Sequence, residues 1–163
     1  MVLSSQDVSR KKRILVITGT TGFDSLVRNI DEDRSLEQDF DIVLQTGDGS
    51  YIPKYKPSFK FDKMIMNTLQ DYDFFITHAG AGTVYHLLEN QKRLLVVPNT
   101  DRADKHQVEL AQHVNFQQLC SVCFHVQEIS SFIKNIEYKT QHLKSYNKME
   151  FNAAQNILNY IYE

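Results

Sequence analysis

Short apolar runs recur through the first hundred residues, and each one ends abruptly at glycine, proline or polar residues. The runs lie at residues 14–17, 41–45, 74–77 and 94–97. Runs this short, rich in β-branched and aromatic side chains and closed by turn residues, are typical of strands that are buried on both faces. A weaker alternating pattern at residues 121–126 predicts an outer strand.

Segments with apolar residues at helical spacing separate these strands. Helices are predicted after a cap at Asp24 or Ser25, over residues 62–70, over residues 83–90 and after a cap at Asp104. A further amphipathic helix near the end of the chain carries Ala154, Ile157, Leu158 and Ile161 at i, i+3, i+4 and i+7. Residues 51–60, which include two prolines, are predicted to form a loop. Strands that alternate with helices predict an α/β fold, a Rossmann-like parallel sheet with helices on both faces.

The charge balance and the apolar runs exclude several classes of protein. The 163 residues carry 18 Lys and Arg against 20 Asp and Glu, so the basic face typical of nucleic-acid binders is not expected. No apolar run approaches the roughly 20 residues that span a bilayer, and no secretory signal opens the chain. We therefore expect a cytoplasmic protein with a polar tail over residues 1–12 and one domain over residues 13–163. The basic cluster at residues 10–13 fits either a frayed terminus or a contact with an anionic membrane surface or a partner.

Pairs of glycines follow three of the predicted strands. The pairs are Gly19 with Gly22, Gly47 with Gly49, and Gly80 with Gly82. In an open parallel sheet, ligands bind beyond the carboxyl ends of the strands, where glycine permits close approach and a helix N-terminus favours an anion. Each loop alone fits a tight turn, but three loops at one edge predict a ligand that bears phosphate. NAD and ATP are disfavoured, because the third glycine of a dinucleotide fingerprint and a Walker lysine pattern are both missing.

Polar side chains beside these loops are candidates for ligand contacts. His78 immediately precedes the third glycine loop, so it fits a donor to bound phosphate as well as a structural hydrogen-bonding histidine. His106 and Gln107 follow the fourth strand after a short loop, and side chains of these types can bind sugar hydroxyls. A helix cap explains Asp104 fully, but it does not explain the two residues that follow Lys105.

The spacing of Cys120 and Cys123 looks like a redox or zinc motif, but the context disfavours both. Residues three apart on a strand point to opposite faces of the sheet. No second cysteine pair or nearby histidine pair completes a zinc set. We therefore predict no metal site and no cofactor. A pair of carboxylates of the glycosidase type is not evident in the sequence either.

Three segments of the chain resemble the donor-binding half of GT-B glycosyltransferases. They are ITHAGAGT at residues 76–83, LVVPN at residues 95–99 and DKHQVELA at residues 104–111. The family includes the peptidoglycan N-acetylglucosaminyltransferase and the small split enzymes, among them the catalytic subunit of the dolichol-linked UDP-GlcNAc transferase. Residues 16–27 and 45–53 resemble the short catalytic subunits of bacterial capsule and exopolysaccharide transferases. The resemblance runs in order from residue 13 to residue 111.

The resemblance implies a set of nucleotide-sugar contacts in four loops. The implied residues are Gly19 and Thr20 beside the diphosphate, His78, Gly80, Gly82 and Thr83 around it, Asn99 near the donor, and His106 and Gln107 at the sugar hydroxyls. Eight residues after His78, relatives carry an acidic residue that binds the ribose, whereas this chain has His86. Ribose recognition therefore either is altered or moves to Glu89. Relatives often carry proline where this chain has Arg93, which is interpreted as a loop variation.

The resemblance also implies how the chain works. One Rossmann-like domain is half of a GT-B fold, so a membrane-anchored subunit is expected to supply the acceptor site and to recruit this chain to the cytoplasmic face of the membrane. The expected enzyme is a UDP-sugar-dependent hexosyltransferase that inverts the anomeric carbon. It would add a hexose or an N-acetylhexosamine to a lipid-linked saccharide acceptor in surface polysaccharide synthesis. No catalytic base is assigned to this chain, and a non-catalytic nucleotide-sugar binding or regulatory module is the alternative.

Overall fold

The computed structural model describes residues 10–101 and 105–148, and within them it forms one six-stranded sheet. The strands are β1 (Lys12–Ile17), β2 (Phe40–Gln45), β3 (Ser58–Phe59), β4 (Phe74–Thr77), β5 (Leu94–Val96) and β6 (Ser121–Val122). Every neighbouring pair is parallel, in the order β3-β2-β1-β4-β5-β6. The sheet confirms the four strands predicted from apolar runs.

Five α-helices and three short 3₁₀ helices connect the strands in the described ranges. The α-helices are α1 (Asp24–Glu32), α2 (Ala81–Glu89), α3 (His106–Phe116), α4 (Ile129–Lys134) and α5 (Ile136–Thr140). The 3₁₀ helices are Arg34–Gln38, Ile65–Asp71 and Val126–Glu128. Within the same ranges, no helix has both the length and the apolar character needed to cross a bilayer.

The core lies in two layers, one on each face of the sheet. Successive residues of β1 alternate between them: Ile14 and Val16 pack in the layer with α1 and α4, whereas Leu15 and Ile17 pack in the layer with α2 and α3. A fully buried side chain of this size contributes about 1.5–3 kcal/mol to folding. Burial on both faces therefore explains why these strands are continuously apolar.

The order of the strands reverses between β1 and β4. The chain runs outward from β1 through β2 to β3, and then returns to β4, on the other side of β1. The connections after β1 and β4 lead to helices on opposite faces, which leaves a crevice at the carboxyl ends of the strands. The first and third glycine loops border this crevice.

Two local predictions are wrong, and a third, the outer strand, is confirmed at the edge of the sheet but over fewer residues. Residues 62–70 form no α-helix, because Thr68 leaves helical geometry and its hydroxyl donates to the carbonyl oxygen of Ile65, and only a 3₁₀ helix results. Phe23 rather than Asp24 or Ser25 is the cap of α1. The outer strand is shorter than predicted, since β6 covers two residues. The predicted cap at Asp104 and the amphipathic helix around residues 154–161 lie outside the described residues.

The basic cluster at residues 10–13 finds its partners within the chain. The guanidinium of Arg10 donates to both carboxylate oxygens of Asp73, at 2.7 and 2.9 Å. That contact, acting against burial, lowers the pKa of Asp73. Lys12 Nζ lies 3.2 Å from a carboxylate oxygen of Glu137, and Arg13 stacks over an aromatic ring. These contacts hold residues 10–13 against neighbouring parts of the fold.

Candidate functional site

The first two glycine loops lie against each other at the carboxyl edge of the sheet. The amide of Asp48 donates to the carbonyl oxygen of Thr20 at 2.8 Å. A Cβ on Gly22 would stand 2.5 Å from the nitrogen of Gly49, so a side chain there would separate the loops. One carboxylate oxygen of Asp24 accepts from the amide of Ser50 at 3.0 Å. The structure therefore brings these loops together, as the topology predicted.

The imidazole of His78 is enclosed by the first and third glycine loops. Its Nδ1 lies 3.4 Å from the carbonyl oxygen of Ile17, which also accepts from the backbone amide of His78 at 3.3 Å. The ring packs on the backbone of Gly19 and of Gly80. A Cβ placed on Gly19 would meet Cε1 of the ring, and a Cβ placed on Gly80 would meet Nε2. These contacts place the Nε2 edge at the start of α2.

Several backbone amides in the glycine loops already donate within the chain. Those of Gly19, Gly47, Asp48, Gly49 and Ser50 have acceptors in Gln45, Lys60, Thr20, Thr46 and Asp24, and the amide of Gly80 donates to the carbonyl oxygen of His78. The first backbone bond of α2 runs from the amide of Val84 to the carbonyl oxygen of Gly80. The amides of Ala81, Gly82 and Thr83 therefore have no acceptor inside the helix.

The start of α2 has the features of an anion site. Three amides point outward at the positive end of a nine-residue helix, and His78 lies beside them. A Cβ on Gly82 would meet nothing within 4 Å, so a ligand has room to approach the backbone. Among the predicted contacts, His78, Gly80, Gly82 and Thr83 lie together here. Gly19 lies beside them through its contact with His78, and Thr20 follows it in the same loop.

The loop after β5 is held by its own polar side chains. The side-chain oxygen of Gln107 accepts from the amide of Asn99 at 3.0 Å, and the side-chain oxygen of Asn99 accepts from the amide of Asp101 at 3.1 Å. The hydroxyl of Ser25, in the first turn of α1, donates to the carboxylate of Asp101 at 2.9 Å. Asn99 and Gln107 thus lie together, whereas the side chain of His106 is 88% exposed and 3.6 Å from Glu109.

Ribose recognition by Glu89 has little geometric support. Glu89 lies at the far end of α2, about 12 Å from the first residue of the helix, and its carboxylate is 3.0 Å from Lys148 Nζ. His86 is exposed one turn closer to the candidate anion site.

The two cysteines belong to the core rather than to a reactive site. Cys120 packs in the layer with α2 and α3 and Cys123 in the opposite layer, which confirms that they point to opposite faces. Burial raises the pKa of Cys120 to about 12 and that of Cys123 to about 11, so both thiols are protonated at neutral pH. Across residues 10–101 and 105–148, no group of three or more His, Cys, Asp or Glu side chains is arranged to hold a metal ion.

Several residues that shape this edge were not identified from the sequence. They are the residues whose side chains connect neighbouring loops: Asp24, Ser25, Gln45 and Asp101. Ser25 and Asp101 are 76 residues apart, so no local pattern links them. Gln45 offered one signal, since it is a polar residue at the end of a buried apolar run.

Known proteins resemble this chain in both sequence and fold. The model of the glycosyltransferase family 28 C-terminal domain matches residues 13–161. The UDP-N-acetylglucosamine transferase subunit ALG13 of Mus musculus is 37% identical over a matched length of 123 residues, and the match covers 64% of this chain and 10% of the mouse protein. The Homo sapiens subunit of the same name is 33% identical over a matched length of 122 residues, and this match also covers 64% of this chain and 10% of the relative. This chain therefore spans about a tenth of the length of these mammalian relatives.

Two solved structures show the same fold. MurG of Acinetobacter baumannii superposes with a TM-score of 0.60 at 18% identity, over 96% of this chain and 51% of that one. A solution structure of ALG13 superposes with a TM-score of 0.58 at 17% identity, over 96% of this chain and 99% of that one. The likeness confirms the predicted fold, a Rossmann-like α/β half of a GT-B glycosyltransferase.

Proposed function

The chain belongs to the glycosyltransferase family 28 C-terminal domains, and from that membership we propose that it is the UDP-sugar-binding catalytic subunit of a two-component inverting glycosyltransferase. A membrane-anchored partner supplies the acceptor site and recruits this chain to the cytoplasmic face of the membrane. The word "subunit" in the names of the mouse and human relatives supports a multi-component enzyme.

The observation that carries the proposal is the juxtaposition of His78 with the start of α2. The outward amides of Ala81, Gly82 and Thr83 can donate to the oxygens of a diphosphate, and the imidazole adds a side-chain donor beside them. A diphosphate carries several negative charges, which the positive end of a helix stabilises. The open space above Gly82 supports binding at the backbone itself.

The reaction would be a direct displacement at the anomeric carbon of the donor. An acceptor hydroxyl attacks that carbon, the bond from the carbon to the diphosphate oxygen breaks, and UDP leaves with the bonding electrons. This chain's contribution is to stabilise the negative charge that grows on UDP, through the amides of α2 and His78. The base that takes the hydroxyl proton is assigned to the partner.

The donor sugar is proposed to be N-acetylglucosamine. The sequence alone left N-acetylglucosamine, galactose, glucose and glucuronic acid open, and the mouse and human relatives are named as UDP-N-acetylglucosamine transferase subunits. The surface-polysaccharide role expected from the bacterial resemblance receives no support from these relatives. We therefore propose a lipid-linked saccharide acceptor without assigning it to a capsule or an exopolysaccharide.

A second candidate is a nucleotide-sugar binding module that performs no transfer. His86 favours it, because a histidine stands where relatives place the acidic ribose ligand. The two functions differ in what happens to the UDP-sugar when the membrane partner is present. The enzyme converts it to UDP and a glycosylated lipid-linked acceptor, whereas the binding module leaves it unchanged.

Calorimetry on the purified chain tests the shared premise of both functions. The ligands are UDP, UDP-N-acetylglucosamine, UDP-glucose, ADP and NAD. We expect UDP compounds to bind and UDP-N-acetylglucosamine to bind more tightly than UDP-glucose. Binding of ADP or NAD in place of UDP compounds would overturn the proposal, and equal affinity for the two UDP-sugars would overturn the choice of sugar.

A further inference from the structure

Gln45 is a buried polar side chain that the proposed function does not use. It ends β2, its exposed fraction is 1%, and it lies beneath the loop that follows β1. Its side-chain oxygen accepts from the amide of Gly19 at 3.2 Å. Because a backbone amide only donates, the oxygen rather than the nitrogen of the Gln45 amide must face Gly19. Burying such a group is unfavourable unless it is hydrogen-bonded, so this contact restrains both partners.

Gly19 transmits this restraint to His78. The φ angle of Gly19 is +73°, which places its α-carbon against the imidazole, so that a Cβ would stand 2.8 Å from Cε1. The carbonyl oxygen of Ile17, near Nδ1, and the backbone of Gly80, near Nε2, also limit the ring. A shift of Gly19 by a few tenths of an ångström therefore moves the imidazole or opens a gap beside it.

We propose that Gln45 is a positioning residue of the donor site. Its side-chain carbonyl fixes the amide of Gly19, and Gly19 in turn fixes the imidazole of His78 at the start of α2. The proposal rests on the proposed function for its ligand, a nucleotide diphosphate, whereas the contact from Gln45 through Gly19 to His78 exists in the free protein as well. Gln45 itself is not expected to touch the ligand, because it is buried below the loop.

Thr18 provides a matched control. It is also fully buried, and its hydroxyl donates to the backbone oxygen of Gln45 at 2.8 Å. Thr18→Val removes a buried hydrogen bond at the same place but leaves the acceptor of the Gly19 amide, the Gln45 side chain, in position. Gln45→Leu removes the acceptor of that amide and leaves an apolar side chain one atom shorter. A purely structural role for Gln45 predicts the same effects for both variants.

The experiment compares the wild-type chain, Gln45→Leu and Thr18→Val. Urea unfolding measures the stability of each protein, nuclear magnetic resonance records the imidazole shifts of His78 and the amide shift of Gly19, and calorimetry measures UDP affinity. We expect both variants to lower the urea midpoint. Gln45→Leu alone should move the His78 resonances and weaken UDP binding about tenfold, the size of one lost positioned hydrogen bond.

The outcomes separate this inference from the proposed function. Unchanged His78 resonances in folded Gln45→Leu, or equal changes in Thr18→Val, would overturn the positioning role. If the wild-type chain does not bind UDP, the proposed function fails, and the resonances of the free proteins still decide whether Gln45 positions His78. Should Gln45→Leu not fold, Gln45→Met replaces it: its apolar side chain matches glutamine more closely in length, and unchanged His78 resonances in that variant would equally overturn the positioning role.

Discussion

The imidazole of His78 lies in the space that a side chain on Gly19 would occupy, since a Cβ there would stand 2.8 Å from Cε1 of the ring. The two residues are 59 positions apart, and the pairing of β1 with β4 brings their loops together. The candidate diphosphate site is therefore built by the topology of the sheet rather than by one continuous motif.

This relationship predicts that Gly19→Ala damages both folding and ligand binding. The left-handed φ of +73° costs a residue with a Cβ about 1–2 kcal/mol, and the collision with His78 adds to that. We expect a loss of at least this size in urea unfolding, together with weaker UDP binding in calorimetry. Full UDP affinity in the folded variant would show that the position of the imidazole does not matter to the ligand.

His78→Phe separates the packing of the ring from its hydrogen bonding. Phenylalanine keeps a planar ring between Gly19 and Gly80 but has no nitrogen to donate. We expect the variant to fold and to bind UDP about 10–100-fold more weakly, the range for one hydrogen bond to a charged group. Circular dichroism checks the fold and calorimetry the affinity, and an affinity equal to that of the wild-type chain would remove His78 from the diphosphate site.

The buried carboxylate of Asp31 is expected to stabilise the fold. The carboxylate is fully buried and accepts from the hydroxyl of Tyr51 and from the amides of Lys54, Tyr55 and Lys56, at 2.8–3.1 Å. Each oxygen takes two donors, so the NH₂ group of Asp31→Asn would face two donors instead of two acceptors. We expect a loss of about 2–3 kcal/mol in urea unfolding. Asp41→Asn, at an exposed position of β2, is the control for the loss of charge.

The same carboxylate predicts a loss of stability in acid. Burial acts to raise the pKa of Asp31, but the hydrogen bonds from Lys54, Tyr51, Lys56 and Tyr55 outweigh it, and the net pKa lies below the ordinary 3.8. A pKa that is lower in the folded state gives stability that is present above 3.8 and is lost as the pH falls through the folded value. Urea unfolding as a function of pH should show a smaller acid-dependent loss in Asp31→Asn than in the wild-type chain. Equal slopes in the two proteins would contradict this assignment.

The strands were predictable because their signal is local. Residues 14–17 and 74–77 are apolar without interruption, which is what burial on both faces requires. The strand β3 was missed because it has no such pattern. It pairs with β2 through the bond from the amide of Leu44 to the carbonyl oxygen of Pro57 and through neighbouring bonds, inside a segment whose prolines favour a loop.

The candidate site was predictable only in part, because some of its contacts join residues that are far apart in the sequence. Glycine loops at strand ends identify the ligand-binding edge, because parallel strands share one carboxyl edge. The sequence does not reveal which amides are already bonded within the chain, and that depends on contacts such as Gln45 with Gly19 and Asp24 with Ser50. The start of α2 is distinguished instead by the imidazole of His78, which packs beside it.

Gly82→Ala should have opposite effects on folding and on binding. A Cβ at this position meets nothing within 4 Å, and alanine is favoured over glycine in a helix by up to about 1 kcal/mol, so the variant should unfold at a higher urea concentration. The same methyl group would stand over the outward amides of α2, where the diphosphate is proposed to approach, and should weaken UDP binding. A variant with both higher stability and higher affinity for UDP would show that the ligand does not approach the backbone here. The donor site would then lie away from the start of α2.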